Sequence, residues 1–197
     1  MGQAYEATGQ KDAAADAWQH LMELPPSYQS HAHLADVHNA ARRWKEAAAE
    51  WRSALELAPD SGKARAALTW ALFRSRDYEA AIATLEPLLR EKPGAETLFL
   101  QGASLLNLQK PKEALPFLRA ATEADPKLLP ARAALGQALL QTGKHEEAIP
   151  LLQQSVSVDE DGSTHFQLFR AYQLANRKAE AEEALAAYKR LRAAAAH

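Results

Sequence analysis

The chain has 197 residues, 47% of them hydrophobic and 24% charged, and its formal net charge is −2 at pH 7. This composition provides enough apolar material for a core, and it lacks the basic excess that nucleic-acid binding normally requires, so we expect no nucleic-acid partner. The absence of cysteine excludes disulfides and thiol chemistry and leaves the compartment undetermined. No apolar run approaches the roughly 20 residues of a membrane-spanning helix, so we expect no membrane insertion.

Four kinds of residue recur along the chain at steps of 33 or 34 residues. The first series consists of alanines: Ala14, Ala47, Ala81, Ala114, Ala148 and Ala181. A large apolar residue follows each alanine four places later: Trp18, Trp51, Leu85, Leu118, Leu152 and Leu185. Small residues and prolines form the other two series: Gly2, Ala35, Gly102 and Gly136, with Thr69 in the third period, and Pro26, Pro59, Pro93 and Pro126. Four interlocking series with one step indicate a structural repeat.

Each period predicts two amphipathic helices. In residues 95–128, apolar side chains fall about one helical turn apart on two segments that are separated by a break at Gln109 to Pro111. Gly102 on the first segment and Ala114 on the second are small where the two helices must approach closely. One such hairpin cannot bury both apolar faces, so it needs neighbouring hairpins.

In chain order, the periods predict six repeats and a short tail that together form one domain: 1–27, 28–61, 62–94, 95–128, 129–161, 162–192 and 193–197. By the 34-residue step, the first repeat lacks about six residues. We expect helices near 28–41, 44–57, 62–75 and 78–90 in the second and third repeats.

Several residues predict how the helices begin and bend. Asp77 is the expected N-cap of the helix that follows it. Pro87, Pro116 and Pro150 fall inside second helices, where they should bend the helix. The acidic exit of the fifth repeat, Val158 to Gly162, suits the N-terminus of the next helix.

These features resemble the tetratricopeptide repeat family over nearly the whole chain. The family's 34-residue repeat places a small residue in the first helix and alanine, a large apolar residue and another alanine in the second helix, before a closing proline. The resemblance implies an all-α fold, a right-handed superhelical solenoid of antiparallel helix hairpins. It also implies a non-catalytic protein-interaction scaffold without cofactors, which binds a peptide or helix of a partner in its concave groove.

In this family, the residues of each first helix that do not belong to the packing stripe line the concave groove. Carried over by register, the partner-binding residues of this chain are Asp36, Asn39, Lys63, Trp70, Phe73, Arg74, Phe99, Leu106, Asn107, Gln137, Gln141, Phe166 and Arg170. We expect Trp70, Phe73 and Phe99 to form an aromatic patch, unless the rings turn into the core. The patch favours an apolar or amphipathic partner segment.

No residue pattern predicts an active site. His31 and His38 are seven residues apart on one helix, about 10 Å by the helical rise, so they do not have the spacing of two ligands for one metal ion, and we expect them to pack between helices. The chain has no phosphate-binding glycine loop and no nucleophile motif. The acidic residues at 146–147 and 159–161 are expected on the solvated surface.

Two other functions remain open. Phe169, Tyr172 and Tyr188, together with the incomplete first repeat, would leave apolar surface at the ends of the array, which favours self-association or a spacer role in a larger protein. The array would alternatively regulate an enzyme in the same parent protein. The related RNA-binding pentatricopeptide arrays have basic grooves, which the acidic balance of this chain does not match.

Overall fold

The computed structural model describes residues 26–90, 93–159 and 161–194. Within these ranges the regular elements are ten α-helices and one short 3₁₀ turn at Val156–Val158, so the predicted all-α fold is confirmed. The predicted incomplete first repeat, with Ala14 and Trp18, lies outside the described residues, apart from Pro26 and Ser27. The last three residues of the predicted tail also lie outside them.

The helices follow one another in pairs. Their bounds are α1 Tyr28–Ala40, α2 Trp44–Leu57, α3 Gly62–Arg74, α4 Tyr78–Arg90, α5 Ala95–Asn107, α6 Pro111–Ala124, α7 Leu129–Gln141, α8 His145–Ser155, α9 Ser163–Leu174 and α10 Lys178–Ala194. Three residues join the two helices of every pair. The predicted helices of the second and third repeats agree with these bounds to within one residue.

The contacts between residues divide the chain into two compact units, Met1–Leu85 and Glu86–His197. In the first unit, the recurring residues Ala35, Ala47, Trp51 and Ala81 are all buried in one apolar cluster. In the second unit, α6 packs against α5 and α7, and α8 packs against α7 and α9. Within each unit, the helices therefore bury their apolar faces against the helix of their own pair and against the neighbouring pair of the same unit.

The recurring small residue makes room for the recurring large one. A Cβ atom added at Gly102 would lie 2.5 Å from Cγ of Leu118 and 3.2 Å from the carbonyl oxygen of Ala114. A Cβ atom at Gly136 would lie 2.7 Å from Cγ of Leu152. Such distances are well inside van der Waals contact. The close helix approach that the sequence predicts at Gly102 and Ala114 is therefore confirmed, and the same packing occurs one repeat later.

The turn within each pair has one conformation throughout the described part of the chain. One residue of each turn has a positive φ of between 55° and 83°: Arg42, Arg76, Gln109, Gly143 and Asn176. The N–H of the following residue donates to a carbonyl in the last turn of the first helix, as from Lys110 to Leu105 at 3.0 Å and from Lys144 to Leu139 at 2.8 Å. This is the Schellman arrangement, in which a left-handed residue ends a helix and satisfies its last carbonyl groups.

The predicted N-cap and the proline positions are also confirmed. The backbone N–H of Ala80 donates to Oδ1 of Asp77 at 3.3 Å, so Asp77 caps α4. Pro87, Pro116 and Pro150 lie inside α4, α6 and α8, where all three are exposed.

We predict that Gly102→Ala destabilises the second unit by about 1–3 kcal/mol, because the added methyl group overpacks against Leu118. Without that contact the substitution would stabilise the helix by about 0.5–1 kcal/mol, since alanine is the better helix former. Chemical denaturation measures the free energy of unfolding. Gly94→Ser is the control, because a Cβ atom at Gly94 meets nothing within 4 Å and serine suits this N-cap position. Unchanged or increased stability of Gly102→Ala would contradict the packing described here.

We predict that Gln109→Gly raises the free energy of unfolding by about 0.5–1 kcal/mol, because glycine adopts the left-handed conformation without the steric strain of a side chain. Gly143→Ala should lower it by about 1–2 kcal/mol for the same reason. Gln109→Ala controls for loss of the glutamine side chain and should not stabilise the protein. Equal melting curves for Gln109→Gly and Gln109→Ala would show that the turn conformation carries no strain.

Candidate protein-interaction surface

In the first unit, Trp70 and Phe73 of α3 form an aromatic cluster with Tyr78 of α4. Trp70 is 39% exposed, and its ring stacks on Phe73 with ring centroids 6.1 Å apart and planes at 27°. Phe73 is half-buried and meets Tyr78, the first residue of α4, edge-on at 5.7 Å. Trp70 therefore lies outside the core, and its orientation is fixed by a neighbouring ring. Ala66, one turn earlier on α3, is exposed and small.

The guanidinium of Arg74 lies over this cluster. Its Cζ is 4.6 Å from the ring centroid of Trp44, the first residue of α2, and 5.8 Å from that of Trp70. Cation–π contacts of this kind hold a long flexible side chain in one place while its N–H groups stay available for other partners. Sequence reasoning selected Trp70, Phe73 and Arg74 but missed Trp44, because Trp44 belongs to a second helix and the contact residues were taken from first helices.

The other predicted contact residues of the first unit lie on α1 and α3. Lys63 and Asp36 are exposed, and Asn39 is half-buried. Phe99, the third ring of the predicted patch, is half-buried in the second unit. The structure thus brings Trp70, Phe73 and Arg74 together within the first unit.

In the second unit, the first helices α5, α7 and α9 are neighbours, since α7 contacts both of the others. Their predicted contact residues differ in burial. Asn107 and Arg170 are exposed, and Gln137 and Gln141 are half-buried. Leu106 is only 3% exposed, so its side chain belongs to the interior.

The α9 helix carries exposed apolar residues at both ends of one face. Phe166 is 38% exposed, and its ring contacts Phe169 at 6.0 Å and Tyr188 at 5.2 Å between centroids. Leu174 is 54% exposed, and it lies eight residues further on, beyond Arg170. Sequence reasoning missed Leu174, although the register that gives Asn107 and Gln141 in earlier repeats also gives Leu174 here.

Tyr172 is buried, so the expectation that it leaves apolar surface at the end of the array is wrong. Its hydroxyl accepts a hydrogen bond from Nε2 of Gln153 at 2.8 Å, and the guanidinium of Arg177 lies 4.7 Å from its ring centroid. Phe169 and Tyr188 remain half-buried. The apolar surface of the last repeat is therefore smaller than the sequence predicts.

His31 and His38 are partly buried on α1, as predicted. Nδ1 of His31 lies 2.7 Å from Oε2 of Glu50 on α2, which joins the two helices of the hairpin. Among the described residues, no three His, Asp or Glu side chains converge as a metal site would require. None of the helices in the described ranges combines the length and the apolar character needed to cross a bilayer.

The expectation that Asp159 lies on the solvated surface is wrong, because its side chain is buried. Its carboxylate accepts hydrogen bonds from the backbone N–H groups of Thr164, at 3.1 Å, and His165, at 2.9 Å, at the start of α9. The same carboxylate pairs with Nδ1 of His165. Gly162, at φ 82°, allows the chain to fold back so that Asp159 reaches the helix N-terminus. Glu160 lies outside the described residues.

Asp161 is exposed, as expected, and its Oδ1 accepts a hydrogen bond from the backbone N–H of Ser163 at 2.9 Å. That hydrogen bond lowers the pKa of the Asp161 carboxyl below its ordinary value, because it favours the ionised form. Asp159 therefore caps the N-terminus of α9 from a buried position, whereas Asp161 accepts a hydrogen bond there from an exposed position.

Three family models match the chain. A tetratricopeptide repeat model matches residues 1–62 and 133–197, which is more than half of the chain, and a second tetratricopeptide repeat model matches residues 38–98. A model for subunit 3 of the anaphase-promoting complex, or cyclosome, matches residues 74–155. The chain belongs to the tetratricopeptide repeat family.

Solved structures share this fold. PilF of Pseudomonas aeruginosa has a TM-score of 0.73 at 19% identity, covering 96% of this chain and 88% of its own. MamA of Desulfovibrio magneticus has a TM-score of 0.66 at 22% identity, covering 83% and 92%. YrrB, described as a tetratricopeptide repeat protein with an unusual peptide-binding site, has a TM-score of 0.63 at 22% identity, covering 82% and 84%. No curated protein matches the chain in sequence.

These similarities establish the fold. They support a protein-interaction scaffold in general, since helical repeat arrays of this family serve as binding surfaces for other proteins. The family is typically non-catalytic.

We predict that Asp159→Ala lowers the free energy of unfolding of the second unit by about 2 kcal/mol, because two backbone N–H groups and His165 lose their buried acceptor. Chemical denaturation measures the loss. Asp161→Ala is the matched control, since it removes an exposed aspartate that caps with a single hydrogen bond, and it should lose less. Equal losses for the two variants would mean that burial adds nothing to the cap at Asp159.

Proposed function

We propose that the chain is a non-catalytic scaffold that holds an apolar or amphipathic segment of another protein, an extended peptide or a helix, against the faces of its first helices. The contact residues are the set predicted from the sequence without Leu106, whose side chain is buried, and with Trp44 and Leu174 added. The observation that carries the proposal is the exposed Trp70 within its cluster of rings.

Trp70 has the properties of an anchor for a binding partner. Tryptophan and arginine are the residues that most often dominate interface energy, and here Trp70 and Arg74 lie next to each other. The exposed ring of Trp70 stacks on the half-buried ring of Phe73, so two aromatic side chains contribute apolar surface at one place. Covering the exposed part of Trp70 would remove apolar surface from water and favour association.

The cluster is also fixed before a partner arrives. Trp70 is held by Phe73, Phe73 by Tyr78, and Arg74 by Trp44. Side chains that are already ordered lose little conformational entropy on binding, so more of the contact energy appears as affinity. YrrB, which shares the fold, is described as having a peptide-binding site, and this is consistent with a peptide ligand for the present chain.

The second unit offers a similar face on α9. Phe166 and Leu174 are eight residues apart, which places them about 12 Å from each other along the helix, with Arg170 between them. Two exposed apolar side chains on either side of a cation match an amphipathic segment with an acidic centre.

Self-association is a second candidate, favoured by the last repeat. There a depression of about 320 Å³ lies between α9 and α10, lined by Phe169, Gln173, Asn176, Lys178, Ala181 and Glu182. Phe169 stands where Gly102 and Gly136 stand in earlier repeats, and the recurring Leu185 is only partly buried, whereas Leu118 and Leu152 are fully buried. Sedimentation velocity over a hundredfold concentration range tests this candidate, and a constant monomer mass would eliminate it.

We predict that Trp70→Ala abolishes capture of the partner from a lysate of the source organism, because the variant removes the anchor ring. Affinity capture followed by mass spectrometry compares it with the unmodified chain. The matched control is Leu57→Ala, which truncates an exposed apolar side chain at the end of α2, away from the first helices. Helical circular dichroism and the melting temperature establish that both variants fold.

A partner that Trp70→Ala loses and Leu57→Ala keeps would support the scaffold. A partner retained by both variants would place the binding surface elsewhere on the molecule. If Trp70→Ala unfolds, the ring is part of the core and the proposal fails in its present form.

A further inference from the structure

We propose that the aromatic cluster of the first unit, together with Arg74, recognises an acidic side chain next to a large apolar one in the bound segment. Arg74 binds the carboxylate of that acidic side chain. This inference rests on the proposed function, because it takes the bound molecule to be a segment of another protein. It adds the chemistry of that segment.

The cation–π contacts of Arg74 do not use its N–H groups as hydrogen-bond donors. A guanidinium that stacks on a ring keeps these groups in its own plane, where they match the two oxygens of a carboxylate. Arg74 is exposed, and none of the acidic residues in the described ranges forms an ion pair with it. The donors of Arg74 are therefore held beside two rings without a carboxylate from the described ranges to satisfy them.

Further cations lie in the two turns next to Trp44 and Arg74 and in the first turns of the helices that follow them, α2 and α4. Their exposed cationic residues are Arg42, Arg43, Lys45 and Arg76. The acidic residues of the same stretches are Glu46 and Glu79, which are exposed, and Asp77, whose carboxylate caps α4. Cations exceed acids at this edge although the whole chain is slightly acidic, which favours an acidic partner and disfavours a basic one.

The distance between Arg74 and Trp70 determines which residues of a partner segment would be recognised. Cζ of Arg74 is 5.8 Å from the centre of the Trp70 ring, so a carboxylate bound by Arg74 lies close to any apolar side chain that covers Trp70. Neighbouring residues of an extended segment, or residues one turn apart on a helix, can supply that pair. A bidentate pair between Arg74 and a carboxylate would therefore select Glu or Asp over Gln or Asn.

A selection from a random 12-residue peptide library on the immobilised protein tests the inference. We expect the recovered peptides to carry Glu or Asp close to a large apolar residue. Each peptide is then synthesised with the acid and with its amide, and fluorescence anisotropy gives both dissociation constants. The acid should bind at least about tenfold more tightly than the amide, as for a hydrogen bond to a charged group.

Variants of the protein locate the effect. Arg74→Gln should bring the affinity ratio of acid to amide close to one, and Arg74→Lys should restore part of it, because lysine keeps the charge without the planar fork. Arg52→Gln is the matched control, since it removes an exposed arginine from α2 in the same unit and should leave the ratio unchanged. Trp70→Ala should weaken the acid and the amide peptides alike.

The outcomes separate the inference from the proposed function. Peptides that need Trp70 but bind equally as acid and amide would overturn the inference and leave the scaffold intact. Peptides that ignore Trp70, or a selection that yields no binder, would count against both. Single-stranded oligodeoxythymidine of 12 nucleotides is titrated in parallel. If it binds as tightly as the best peptide and depends on Arg74, the cluster binds nucleic acid and the inference is wrong.

Discussion

One packing contact, made at Gly102 and again 34 residues later at Gly136, sets the spacing of helices in the second unit. A large apolar side chain of the second helix, such as Leu118 or Leu152, fills the space left by a small residue of the first helix, such as Gly102 or Gly136. The contact fixes the distance between the two helices of a hairpin. The residues on the exposed faces of the first helices do not take part in this contact, so they can vary from repeat to repeat. The candidate surface is formed by these variable residues.

The turn between the helices is the second constraint. Its left-handed residue ends the first helix and directs the chain into the second, which brings the first residue of each second helix to the edge of the first-helix face. Trp44 reaches Arg74 in this way, although the two residues belong to different hairpins. The left-handed position of the turn needs no particular side chain, since arginine, glutamine, asparagine and glycine all occupy it. The backbone strain of the residues other than glycine is therefore offset by the connection that the turn makes between the two helices.

Much of this could be predicted. The helix pairs, the close approach at Gly102, the cap at Asp77 and the partial burial of His31 and His38 follow from patterns of spacing, because local periodicity reflects which face of a helix is buried. The exposed positions of Trp70 and Arg74 follow from the register of the repeat. Predictions that treated residues by composition were less successful. Asp159 was grouped with its acidic neighbours as solvated surface, and Tyr172 was grouped with the bulky residues of the last repeat as exposed.

The sequence by itself determined the class of fold, because its recurring small, alanine and large apolar residues define a helix hairpin that must stack on neighbouring hairpins. The candidate binding face came from the resemblance to the tetratricopeptide repeat family. Only the tertiary structure decided how individual side chains on that face are used. It buried Leu106, set Arg74 over Trp44 and Trp70, and turned Asp159 inward to the start of α9. These results depend on contacts between residues of different helices, and the distances across such contacts are set by packing in three dimensions rather than by position in the repeat.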